Sequence, residues 1–310
     1  MDNRLILDEL DYYVVGHTKA KKALIAMLTR SHMRHFQKYI KGMDAEFLVN
    51  PIKLLLIGAS GSGKTHLLES LQKIVHFPLI RIDATQMNPA GSSGGVKPAD
   101  LRKMVIEEAR LACTNFPDQY FSIEGAVDKT VVFIDEVDKL GISFESSGNW
   151  NKHVQSNFLT MFDNKTDYAG LSFVFAGAFN DFTRKKDPKT TIGFCKDLNP
   201  GAEACLDDEL VKNGLIPEMV GRLTHIVELD VFDKDMYMYI LREKLLPKKS
   251  LDLAAYGLFD IDMPDVALEA IADKACKSNQ GVRYLQRALD MYFLDLEFAA
   301  GLDYSIYNDH

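Results

Sequence analysis

The run Gly58-Ala59-Ser60-Gly61-Ser62-Gly63-Lys64-Thr65 sets three glycines, a lysine and a hydroxyl residue in the spacing G-x-x-x-x-G-K-[ST]. Glycines let the backbone curl so that successive N–H groups face one anion, and a helix starting at the lysine adds its partial positive charge. An ammonium at Lys64 would neutralise the β- and γ-phosphates of a nucleoside triphosphate. The Thr65 hydroxyl is a hard oxygen ligand suited to Mg²⁺. Gly61, Ser62, Gly63, Lys64, Thr65 and the adjoining His66 are therefore the candidate ATP contacts.

A second constellation is Val131-Val132-Phe133-Ile134-Asp135-Glu136, an apolar strand ended by two carboxylates. Alone, two acids after a strand are usually a solvated helix start. Beside a complete phosphate loop they read as catalytic, because a parallel sheet gathers its C-terminal strand ends on one edge. Asp135 would hold Mg²⁺ through its water shell, and Glu136 would orient and polarise an attacking water. Asp138 and Lys139 read as an exposed charged turn.

The elements that must position these groups alternate. Strands are expected at 52–57, 79–82, 131–134, 171–175 and 224–229, and helices at 64–75, 98–112 and 153–162. The fold class is α/β: a P-loop parallel sheet with flanking helices, followed by a small helical domain. After Asp230 the strand signals fade, and 235–244, 264–277 and 281–300 carry helical apolar spacing. The domains are therefore read as 1–230, which binds nucleotide, and 231–310, which is helical. The softest segments are 88–97, 115–129 and 183–203.

Composition narrows the class. The chain has 310 residues, 47% hydrophobic and 26% charged, as in ordinary globular proteins. A net charge of −8 favours no nucleic-acid partner, and the short run Arg184-Lys185-Lys186 reads as a solvated loop. Cys113, Cys195, Cys205 and Cys276 show no paired C-x-x-C spacing and fit free thiols. With no apolar run long enough to span a bilayer and no signal peptide, a cytoplasmic protein is expected.

With the two motifs in place, the chain resembles the AAA+ ATPases of the ClpX/HslU unfoldase group over roughly 7–294. The segment from Leu10 to Leu24 looks like the one which that family places before the sheet, where an apolar pair packs on adenine; this implies Val14 and Val15 here. His17 stands where the family usually has Gln and is assigned no chemistry. The segment Leu215-Ile216-Pro217-Glu218-Met219-Val220-Gly221-Arg222-Leu223 is similar to the one ending in the arginine finger. The resemblance thus makes Arg222 a catalytic residue acting on the γ-phosphate bound by a neighbouring subunit. The alternative is a structural arginine paired with Glu218 or another acid. Gly281-Val282-Arg283 resembles the sensor-2 motif, which implies that Arg283 contacts nucleotide in cis. Asn180 at the sensor-1 position is equally an ordinary loop residue.

The resemblance implies a homo-oligomeric ring, usually a hexamer, that hydrolyses ATP with Mg²⁺ between subunits and remodels a protein substrate. The zinc-binding N-terminal domain typical of ClpX has no counterpart in these residues. The loop after the second strand, which carries a gripping aromatic in translocating members, reads Asn88-Pro89-Ala90-Gly91-Ser92-Ser93-Gly94-Gly95-Val96. A Gly/Ser loop offers little apolar area to a threaded chain. Phe144 and Trp150, near the expected second pore loop, either take over the grip, contact a partner or cover the core. Ile192-Gly193-Phe194 resembles the tripeptide through which ClpX-type rings dock on a ClpP-type peptidase, and otherwise tucks into the domain surface. The rival functions are a regulatory or scaffold ATPase that assembles a complex without threading protein, and a DNA-handling loader, which the acidic balance disfavours.

Overall fold

The computed structural model describes residues 2–87, 96–141, 148–164, 168, 170–179, 200–259, 261–278 and 280–300. The chain folds as two compact units. The first is 1–58 with 64–229, and the second is 59–63 with 230–310.

The first unit is built on five strands: β1 (Lys53–Ile57), β2 (Leu79–Asp83), β3 (Val131–Asp135), β4 (Ser172–Gly177) and β5 (His225–Glu228). They pair in the order β2-β3-β4-β1-β5, and every pairing is parallel. Period-two alternation sends side chains to two faces, each covered by helices. On one face Leu55, Ile57, Ile80, Ile82, Val132, Ile134, Phe173 and Phe175 join a core with α4 (Pro98–Asn115), α6 (Gly148–Asp163), α7 (Pro200–Lys212) and α8 (Pro217–Val220). On the other, Leu54, Leu56, Phe133, Val174 and Ala176 pack with α1 (Asn3–Tyr13), α2 (Thr18–His35) and α3 (Lys64–Val75). Burial on both faces explains why β1, β3 and β4 read as nearly continuous apolar runs.

The segment 115–129, expected to be soft, is ordered instead. Ser122 accepts a hydrogen bond from Gly125 N–H and starts the short helix α5 (Ile123–Asp128). Tyr120 and Ala126 are buried there with Ala109 and Ala112 of α4. The soft segment 183–203 likewise ends inside α7, which begins at Pro200.

The second unit is helical in its described residues after Asp230. It contains α9 (Lys234–Ile240), a π-helical turn (Leu241–Leu245), α10 (Leu246–Ala254), α11 (Asp265–Lys277) and α12 (Val282–Ala300). Asp233 caps α9 by accepting from Met236 N–H at 2.8 Å. Lys249 on α10 bridges Asp290 and Glu297 on α12 at 2.8 and 2.6 Å. Among the described residues no helix is long and apolar enough to cross a membrane.

Candidate nucleotide site

The phosphate loop lies between β1, which ends at Ile57, and α3, which begins at Lys64. Gly61 and Gly63 take φ values of 76° and 95°, the left-handed region that glycine enters without a Cβ penalty. Lys64 is buried, and its Nζ donates to the carbonyl of Gly58 at 2.5 Å. Thr65 Oγ1 donates to Asp135 Oδ2 at 3.0 Å, so the first turn of α3 meets the end of β3. A hydroxyl and a carboxylate side by side are the hard oxygen donors that Mg²⁺ takes, with waters and substrate phosphates completing its shell. The two residues named for the metal fit it.

Glu136 follows directly and is exposed, with φ 57°, a conformation uncommon for residues other than glycine. Its N–H donates to Asp135 Oδ1 at 2.9 Å. His66 is exposed and its Nε2 lies 3.3 Å from the carbonyl of Tyr13. That contact ties the helix after the phosphate loop to the residue before Val14 and Val15. Val14 is buried in the core beside Leu10 and Leu24, while Val15 is half-buried.

The reading of Asp138 and Lys139 as an exposed charged turn is corrected. Lys139 is exposed, but Asp138 is half-buried and its Oδ1 accepts the N–H of Ala178 at 3.1 Å, just past the end of β4. No local pattern could have disclosed this, because it depends on β4 lying beside β3.

Arg222 stands elsewhere in the first unit. Its Nη1 donates to Asp163 Oδ1 at the end of α6. That hydrogen bond holds the Asp163 carboxyl below its usual range and raises the guanidinium's own pKa. Thr224, two residues on, pairs with Lys53 at the start of β1, with its N–H donating to the Lys53 carbonyl at 2.8 Å. Burial, and then the Arg222 charge, lower the pKa of Lys53. Arg222 thus adjoins the entry edge of the sheet, and five residues of β1 separate that edge from Gly58, roughly 15 Å of strand.

In the second unit, Arg283 on α12 donates from Nη1 to Ser60 Oγ at 3.1 Å, and Val282 N–H donates to the carbonyl of Gly61 at 3.1 Å. Asn180 and Ile192-Gly193-Phe194 fall outside the described residues, as do Phe144 and 88–95. Trp150 lies in the first turn of α6, and its side chain is likewise outside what the structure describes.

A parallel sheet with this loop after β1 and an acid pair after β3 defines a P-loop nucleoside triphosphatase. Residues 54–195 match the family described as "ATPase family associated with various cellular activities (AAA)". Over 93% of its length the chain is 28% identical to the ATP-dependent Clp protease ATP-binding subunit ClpX 2 of Wolinella succinogenes, covering 75% of that protein. It is 26% identical, with the same coverage of both chains, to the ClpX subunit of Bacteroides thetaiotaomicron. To that of Borrelia duttonii it is 30% identical, covering 93% of this chain and 72% of the relative. The chain belongs to the ClpX family of AAA ATPases and is, as such, a nucleotide-binding, ATP-hydrolysing enzyme.

Proposed function

We propose that this protein is an ATP-dependent protein unfoldase or remodelling ATPase that works as a homo-oligomeric ring, usually a hexamer, in the cytoplasm. The two domains are 1–230 and 231–310. The observation that carries the reading is the meeting of Thr65 with Asp135 at the exit edge of the sheet, beside Lys64 and Glu136.

In this scheme the amides of Gly61, Ser62 and Gly63 and the Lys64 ammonium hold the triphosphate of ATP, Val14 and Val15 line the adenine side, and His66 adjoins them. Thr65 and Asp135 would hold Mg²⁺, which when bound supplies charge neutralisation between the β- and γ-phosphates. Glu136 accepts the proton of the attacking water as it adds to the γ-phosphorus, and the bond to the bridging oxygen of ADP breaks. Arg222 stabilises the charge on the transferring phosphoryl of a neighbouring subunit. Its place at the entry edge, a strand's length from its own phosphate loop, supports action in trans. Arg283, bonded to Ser60, reports the nucleotide to the helical domain in cis.

ATPase rate measured against protein concentration tests the ring: cooperative growth in specific activity is expected, and a flat profile overturns it. A tagged fluorescent substrate tests unfolding. A second reading, a regulatory ATPase that assembles a complex without threading protein, is favoured by the aromatic-free sequence from Asn88 to Val96. Robust hydrolysis with no loss of substrate fluorescence would select it. Docking on a ClpP-type peptidase through Ile192-Gly193-Phe194 predicts co-sedimentation that Phe194→Ala abolishes.

A further inference from the structure

Gly177 closes β4, the strand lying between β1 and β3. The peptide joining Gly177 to Ala178 is held from both sides. Its carbonyl accepts the N–H of Gly58, the first residue of the phosphate loop, at 3.2 Å. Its N–H donates to Asp138 Oδ1 at 3.1 Å. Gly58 in turn offers its own carbonyl to Lys64 Nζ at 2.5 Å. One series of hydrogen bonds therefore runs from Lys64 through Gly58 and the 177–178 peptide to Asp138. On the same turn, Lys139 N–H donates to the carbonyl of Glu136 at 2.9 Å.

Two residues with side chains occupy left-handed backbone beside this series, Glu136 at φ 57° and Phe179 at φ 45°. Such conformations persist only where the surroundings over-determine them. Phe179 is fixed by its ring, which is 2% exposed in the core. A Cβ at Gly177 would stand 2.5 Å from that ring and 3.0 Å from Asp138 Oδ1, so only glycine fits between them without a shift. The Asp138 side chain is 13% exposed, and Lys139 Nζ lies 3.9 Å from its Oδ2, leaving Oδ1 to Ala178. A carboxylate accepting an amide N–H in such a place makes a charge-assisted bond, stronger than a neutral one.

We propose that Asp138 is a positioning residue for ATP hydrolysis: through the 177–178 peptide it sets the separation of Gly58 and Lys64 from Glu136. Asp138 touches no substrate. It acts at the exit of β4, the strand that lies between the two halves of the site. The inference rests on the reading of Glu136 as the group that activates water.

The test compares Asp138→Ala, Asp138→Asn and Glu136→Gln in the full chain at a temperature well below melting, with kcat from saturating ATP and Kd from a fluorescent ADP analogue. Asp138→Ala is expected to lower kcat about 10- to 100-fold while the analogue's Kd changes less than about threefold. Asp138→Asn, which keeps an oxygen acceptor for Ala178, restores kcat to within about threefold of the parent. A folded Asp138→Ala with parental kcat overturns the assignment, as does a parallel loss of kcat and affinity. Where Asp138→Ala does not fold, a folded Asp138→Asn decides: hydrolysis retained supports the assignment, and hydrolysis lost overturns it. Glu136→Gln separates the two ideas. If it still turns over ATP, the role of Glu136 fails; if it is inactive while Asp138→Ala is not, only the positioning role fails.

Discussion

The hydroxyl of Thr65, on the first turn of α3, donates to the carboxylate of Asp135, 70 positions along the chain at the end of β3, across 3.0 Å. Two oxygen donors this close can serve one hard cation, and each loses most of its use without the other. Thr65→Ala and Asp135→Asn are each expected to raise the Mg²⁺ concentration for half-maximal ATPase activity by about 10- to 100-fold. The double variant should cost less than the product of the singles, since both act on one ion. A Mg²⁺ titration of the four proteins measures this, and strict multiplicativity would count against a shared ligand pair.

Lys64 and Glu136 should fail in different ways. Lys64→Ala removes the buried ammonium proposed to meet the phosphates, so nucleotide binding itself should weaken by about 10²-fold or more. Glu136→Gln leaves the phosphate loop unchanged and removes only the carboxylate proposed to accept the proton. Affinity for ATP should then stay near that of the parent while turnover falls about 10²- to 10⁴-fold. Calorimetric binding alongside single-turnover hydrolysis distinguishes the two patterns.

Much of this site is legible in sequence because its logic is local. The phosphate loop, the strand before it and the helix after it are contiguous, and helix α3 begins and ends at the residues that apolar spacing marks, Lys64 and Val75. Strands β1, β3 and β4 read clearly because they are apolar on both faces. Other features have no local signature. Helix α5 is six residues long, too short for a periodic pattern, and is ordered by the Ser122 cap and by packing on α4. Asp138 sits in a run of charges that looks solvated; only strand order, which places β4 beside β3, brings Ala178 to it. Val14, which the resemblance places against adenine, is buried in the cluster that holds Leu10 and Leu24, a setting that only the packed fold discloses.

Arg222 offers a prediction that separates catalysis from folding. Its pair with Asp163 is exposed and salt-screened, so it contributes little to stability. Arg222→Ala should leave the melting temperature unchanged within error while cutting turnover about 10³-fold or more. If the arginine serves a neighbour, mixing Arg222→Ala with Lys64→Ala subunits should restore part of the rate. Mixed assemblies as inactive as the separate variants would overturn action in trans.

A buried ammonium fixes the approach to the sheet. Lys21 on α2 is 1% exposed, and its Nζ bonds Asp11 Oδ1 and the carbonyl of Val14, each at 2.5 Å. Asp11→Ala leaves that charge with one neutral acceptor, at an expected cost of about 1–3 kcal/mol in urea unfolding at pH 7. Lys21→Met removes the charge along with its need for a partner and keeps most of the volume. It should therefore cost less than Asp11→Ala, and the reverse order would mean that Lys21 is solvated in solution.

Acid should destabilise the first unit through His35. Burial, and next the charge of Lys129, push its pKa down to about 4 from the ordinary 6.5; Asp128 opposes this, while His32 and Lys38 add to it. Its Nδ1 is buried and meets no hydrogen-bond partner among the described residues, and Gly125 gives the ring its space. The folded protein therefore keeps His35 neutral where the unfolded chain would protonate it. Between pH 6.5 and about 4 the unfolded state binds more protons, so stability rises with pH across that window and is lost as pH falls through it. The contribution is fully present above pH 6.5. His32, also lowered chiefly by burial, acts in the same direction. Urea midpoints at pH 7 and pH 5 should differ in the parent, and His35→Gln, which cannot titrate, should narrow the difference. An undiminished difference in that variant would assign the acid sensitivity to other groups.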